Sequence, residues 1–124
     1  MSRRVLSIAI WLIVAAAITH AADEKPRVFH GQIADTQCAL NIHSLTRSHA
    51  EMLKSKATGG TEGSCAIYCV RYLGGDFVLS SKGVVYRLDN QEKAREFAGQ
   101  KVSVTGTLEP NNKTIRLIEI EPAD

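Results

Sequence analysis

Aromatic side chains are scarce in this chain: one tryptophan, three tyrosines and three phenylalanines among 124 residues. The tryptophan, Trp11, lies in an apolar leader, so the remainder relies on Phe29, Tyr68, Tyr72, Phe77, Tyr86 and Phe97. Net charge is scarce as well. Arg3 and Arg4 account for the formal +2, and beyond them basic and acidic residues balance. A neutral, aromatic-poor chain lacks the basic groove and the stacking platform that single-stranded nucleic acid needs, which argues against a nucleic-acid partner. Catalytic constellations are missing too. There is no C-x-x-C, no carboxylate pair, no Ser–His–Asp set and no phosphate-binding loop, so no catalytic residues are assigned.

Long hydrophobic runs are also absent. The longest uncharged apolar stretch, Val5 to Ile18, is shorter than the ~20 residues of a membrane-spanning helix. It follows Arg3 and Arg4 and precedes the small residues Thr19, Ala21 and Ala22, the three-part layout of a cleaved export signal. Residues 1–21 are therefore expected to be a signal peptide. Cleavage after Ala21 would leave residues 22–124 as one periplasmic or secreted domain with no stable membrane anchor. A domain of this size forms only a modest core, and a covalent or metal staple would help it.

The remainder reads as a β-rich fold. Val28 to Asp35 suggests a strand, with Gly31 as a bulge or bend. From Ser44, a fair N-cap, to Ala57 the stripe Leu45, His49, Met52 and Leu53 is helical. A Gly-rich link follows, then a short helix from Cys65 to Leu73, capped by Ser64 and closed by Gly74-Gly75. Phe77–Leu79 and Val84–Leu88 flank the turn Ser80-Ser81-Lys82-Gly83. Gln91–Ala98 suggests a helix, and two strands flank the turn Pro110-Asn111-Asn112-Lys113. The last strand breaks alternation at Leu117-Ile118, where a bulge or cover on both faces is expected. Five strands with one helix between the third and fourth is the layout of an OB-like Greek-key barrel. The unusual part is a helical, cysteine-bearing insertion after the first strand, residues 36–75.

All three cysteines, Cys38, Cys65 and Cys69, fall in that insertion. In an oxidising compartment they must be paired, metal-bound or reactive. Cys65 and Cys69 are one helical turn apart, with Cβ atoms ~5–6 Å apart, too far for an easy disulfide. Cys38 bonded to Cys65 or Cys69 would close a loop of roughly 28–32 residues, worth about 3–4 kcal/mol. The alternative uses all three. Two thiolates at i, i+4 converge on one ion, Cys38 is a third ligand and His43 or His49 a fourth, a set suited to zinc or copper. His43 is the better placed of the two, since His49 lies on an apolar stripe and is expected in the core. His30 is expected at the surface, and Asp35 as a turn residue or a hydrogen-bond acceptor for the thiols. A third reading makes Cys65, just after a helix cap, a reactive thiol of lowered pKa. Both the disulfide and the metal remain open at this level.

The spacing Cys65-x-x-x-Cys69 resembles the thiolate pair of Sco-type copper chaperones and of the binuclear copper domain of oxidases, which implies copper handling or thiol redox chemistry at Cys65 and Cys69. Over a longer span, Gly31-x-Ile33-x-Asp35-x-x-Cys38 with His43, Cys65-x-x-x-Cys69-Val70, Gly74-Gly75-x-Phe77-Val78-Leu79 and Phe97-Ala98-Gly99-x-x-Val102-x-Val104-x-Gly106 resemble small exported bacterial proteins of a domain-of-unknown-function family. That resemblance implies an OB-like barrel, export, and the three cysteines with His43 acting as one unit. The expected role is a binding or structural module for a protein or small ligand.

Overall fold

The computed structural model describes residues 25–41 and 48–124. The expected signal peptide, His43 and Ser44 lie outside the described residues.

Five strands, β1 (Arg27–Asp35), β2 (Phe77–Ser81), β3 (Val84–Leu88), β4 (Lys101–Leu108) and β5 (Thr114–Pro122), form the frame. They close into a ring in the order β1-β2-β3-β5-β4. β1 is long enough to serve two neighbours. Its first half pairs with β4, from Arg27 opposite Gly106 to Gln32 opposite Lys101, and its second half with β2, ending at Asp35 opposite Phe77. All pairs are antiparallel except β3 with β5, which meet through Arg87–Thr114 and Leu88–Ile115. The sheet is therefore mixed.

Alternation decides which side chains turn inward. Phe29 and Ile33 from β1, Phe77 and Leu79 from β2, Leu88 from β3, Val102, Val104 and Leu108 from β4, and Ile115 and Ile120 from β5 share one core. The irregularity expected at Leu117-Ile118 is present. Thr105 faces Glu119 and Gly106 faces Leu117, so Ile118 is the unpaired bulge residue. That extra residue shifts the parity of β5, which lets Ile115 and Ile120 both point into the core across an odd spacing. Gly31 behaves otherwise. The pairing of β1 with β4 runs through it without a register shift, so no bulge occurs there.

Lys82 and Gly83 both have positive φ, +48° and +81°, the requirement of a two-residue hairpin turn that matches strand twist. The helix between β3 and β4 is α4 (Gln91–Arg95), shorter than expected, capped by Asn90.

Between β1 and β2 the chain builds a helical cap from α1 (Thr36–Ala39), α2 (His49–Leu53), a 3-10 turn (Lys56–Thr58) and α3 (Glu62–Tyr72). Two expected boundaries change. α2 cannot continue back to Ser44, because Ser48 is extended (ψ 161°) and caps it reciprocally with Glu51. The N-cap of α3 is Thr61 and not Ser64. Ser64 sits three residues in and completes a capping box with Thr61, which places the helix start one turn earlier.

Candidate metal centre

The site begins at the end of β1. Asp35 is fully buried and caps α1: its Oδ1 accepts from the Cys38 backbone N–H at 3.0 Å and its Oδ2 from that of Gln37 at 2.9 Å. This fixes the third residue of α1, Cys38, over the cap interior. The Gln37 side chain donates to the Leu73 carbonyl at 2.8 Å and ties α1 to the end of α3. From α3, Cys65 and Cys69 project on one face, one turn apart, and both are fully buried.

The three sulfurs converge. Cys38 Sγ and Cys65 Sγ are 3.7 Å apart, and all three Sγ atoms lie within 4.8 Å of one another. No disulfide joins them. Met52 of α2 is buried over Cys65 and Cys69, with Leu53, Tyr68 and Leu73 packed around it. α2 is held there because Thr58 Oγ1 donates to the Met52 carbonyl at 2.7 Å and His49 Nε2 lies 2.7 Å from Glu62 Oε2. Cys38 is the least buried of the three.

The electrostatics keep the thiols protonated. Burial pushes the Cys38 thiol far above its ordinary value, and a hydrogen bond to the Asp35 carboxylate together with its charge adds to the shift. Burial also raises Cys65, against partial relief from hydrogen bonds with Cys38 and Cys69. Cys69 is pushed up to about 12 by burial, with Asp35 next. The expectation of a lowered Cys65 pKa is therefore overturned. Cys65 lies four residues beyond the Thr61 cap, where the helix end acts weakly, and in an apolar surround that disfavours the thiolate.

The histidines separate. His49 is not a core residue; it forms an interaction with Glu62 at the edge of the cap. His30 is exposed on β1, its Nδ1 3.0 Å from Ser103 Oγ. His43 lies outside the described residues. Asp35, expected as a turn residue or an acceptor, is both a helix cap and the buried carboxylate of the site. The D-x-x-C spacing was the available signal, since an N-cap carboxylate accepts from the N–H two and three positions on. Gly75 belongs here as well. A Cβ on it would lie 3.0 Å from Asp35 Oδ2 and 3.2 Å from Thr36 Oγ1, so its missing side chain makes room for the carboxylate.

What the arrangement can do chemically follows from these parts. Three sulfurs at this separation, two of them buried, suit one soft ion after slight contraction, given Zn–S bonds of ≈ 2.3 Å. A thiolate pair attacking substrate would need a larger thiolate population. Residues 69–123 match the family model described as "Protein of unknown function (DUF5818)", a span that begins at Cys69 and takes in β2 to β5. No curated protein and no solved structure matches the chain.

Proposed function

We propose that this protein is an exported, single-domain binding module in which Cys38, Cys65 and Cys69 hold one thiophilic metal ion, zinc or copper. The observation that carries this reading is the convergence of three Sγ atoms within 4.8 Å beside a buried carboxylate. Asp35 accepts from the backbone N–H groups of Gln37 and Cys38, which holds Cys38 against the two sulfurs of α3 and so organises a three-sulfur site in advance of an ion. Soft thiolates select copper(I) and zinc over harder ions. Zinc takes a fourth ligand, for which His43 or a solvent molecule is proposed; copper(I) is content with three.

The frame is read as an OB-type barrel. Support comes from the sharing of β1 between β2 and β4, the parallel contact of β3 with β5, and α4 between β3 and β4. Residues 1–21 are read as the signal that sends it to the periplasm or outside the cell. Its partners are proposed to be a protein or a small ligand and not nucleic acid, on the neutral charge of the chain beyond Arg4.

A second reading rests on one distance. The Cys38 and Cys65 Sγ atoms stand 3.7 Å apart, and their oxidation would leave Cys69 as a single thiol. Elemental analysis of protein purified without chelator, paired with a thiol count under denaturing conditions, tests both. One zinc or copper per chain with three titratable thiols supports the metal reading; no metal, one thiol and a mapped Cys38–Cys65 bond overturns it.

A further inference from the structure

α3 carries a second set of side chains, turned away from the sulfurs. Val70 and Arg71 stand roughly 100° and 200° round the helix from Cys69. With Ile67, with Phe77 at the start of β2 and with Arg95 at the end of α4, they line a cavity of about 380 Å³. From this cleft we infer a binding site for a small organic anion, a carboxylate carried on an apolar or aromatic body.

The chemistry of the walls selects that class. Phe77 is 3% exposed, and Ile67 and Val70 are partly buried against the core, so the floor is apolar. Two exposed arginines, Arg71 and Arg95, complete the lining, and among the described residues neither forms an ion pair. Arg71 lies 5.3 Å from the Tyr72 ring, a contact that leaves its hydrogen-bond fork free. An arginine in the last turn of a helix favours the helix dipole. That accounts for one charge on each helix but not for both arginines lining one cleft with an apolar floor. A neutral apolar ligand would desolvate the two cations without compensation, and an inorganic anion would leave the floor wet. A carboxylate on an apolar body satisfies both, pairing with the planar fork of arginine and covering the floor. Such a mixture of apolar lining and few polar groups is usual for small-molecule sites.

The walls are fixed in advance. Gln91 pins α4 to β2, accepting the Phe77 N–H at 2.7 Å and donating to the Phe77 and Leu88 carbonyls at 2.9 Å. The first turn of α3 meets the loop after α4 so closely that a Cβ on Gly63 would lie 2.7 Å from the Ala98 carbonyl oxygen. A ligand entering this cleft has little to reorganise, which favours binding.

The test is a titration of the purified, methyl- and arginine-labelled protein with N-acetyl-phenylalanine, followed by NMR. Millimolar binding is expected, with shifts at the Ile67 and Val70 methyls, and at least tenfold weaker binding of N-acetyl-phenylalaninamide and of sulfate. Arg71→Gln and Arg95→Gln should each weaken the acid at least fivefold, with the methyl spectrum of the free protein retained, while Lys101→Gln leaves it unchanged. Equal binding of acid and amide, sulfate binding as tight as the acid, or indifference to both arginine variants would overturn the inference. The peptide Ala-Ala-Ala-Phe separates two sources of the same chemistry: tighter binding than the acid assigns the cleft to peptide C-termini, equal or weaker binding to free acids. None of these readouts involves the thiols, so their failure is independent of the metal centre.

Discussion

The carboxylate of Asp35 accepts the backbone N–H of Cys38 at 3.0 Å and also raises the proton affinity of the Cys38 thiol. One side chain thus sets both where Cys38 sits and how firmly it keeps its proton. Placement comes from capping a four-residue helix that has little stability of its own. Protonation comes from a negative charge held in a poorly solvated surround, where a second anion is disfavoured.

Asp35→Asn separates the two effects. The amide keeps one acceptor but turns an N–H₂ group toward a backbone donor, so stability should fall by about 1–3 kcal/mol. The thiols should become more acidic, because a charge that raises all three is gone. Chemical denaturation checks the first effect and thiolate absorbance against pH the second. An unchanged thiol titration would show that Asp35 does not set the protonation of the site.

Each sulfur should be needed for metal. Cys38→Ser, Cys65→Ser and Cys69→Ser are each expected to abolish stoichiometric zinc or copper binding, since removing one of three ligands leaves a two-sulfur site. His49→Ala should leave the stoichiometry unchanged, because that ring meets Glu62 at the cap edge. His43→Ala should weaken zinc more than copper(I), if His43 is the fourth ligand zinc requires. Titration calorimetry of the reduced variants with each metal measures all five.

Binding should depend steeply on pH. The three thiols are protonated in the free protein at neutral pH, and an ion that binds thiolates must displace those protons. Each proton released contributes up to tenfold in apparent affinity per pH unit, so three contribute up to about 10³-fold. Competition with a chelator of known pH behaviour between pH 6 and 8 measures the slope. A slope near zero would mean that the thiols are not the ligands.

Much of this was legible from sequence where a local rule decides the outcome. Ile118 is an instance: the break in alternation at Leu117-Ile118 allows a bulge or cover on both faces, and the register shift against β4 selects the bulge, which keeps Ile115 and Ile120 inside. The hairpin expected over Ser80-Ser81-Lys82-Gly83 is present but tighter, since β2 continues to Ser81 and the turn is Lys82-Gly83 alone; helix periodicity places Cys65 beside Cys69, while the approach of Cys38 depends on the packing of α1 against α3. The losses occur where two local signals compete. Ser44 and Ser48 are equivalent as N-caps in isolation, and Glu51, three residues after Ser48, decides between them. Ser64 has the residue type of a cap, yet in the fold it is the partner of Thr61 in a capping box. Nearness to a helix end does not set the acidity of Cys65; burial beneath Met52 does, and that depends on the tertiary packing of α2. Asp35 illustrates the same limit, for nothing local distinguishes an exposed turn aspartate from one enclosed by Gly75.

The reduced, metal-free protein should lose stability as pH rises above about 9. In the unfolded chain the three thiols titrate near their ordinary value of about 9, whereas in the folded protein all three are raised, Cys69 to about 12. Between those values the unfolded state has released protons that the native state still binds. Stability rises with pH only where the unfolded state binds more protons, so here it must fall. The thiol contribution is fully present below about pH 9 and is lost progressively as pH rises toward the folded values. Urea denaturation from pH 7 to 10.5 under reductant should therefore give a falling midpoint above pH 9. In the Cys38→Ser/Cys65→Ser/Cys69→Ser variant, which has no thiol to titrate, that decline should be markedly shallower. Equal declines in the two proteins would place the pH dependence in lysine and tyrosine and refute the protonated-thiol description of the site. Saturating metal should remove the decline by a different route, since the bound thiolates no longer carry protons to lose.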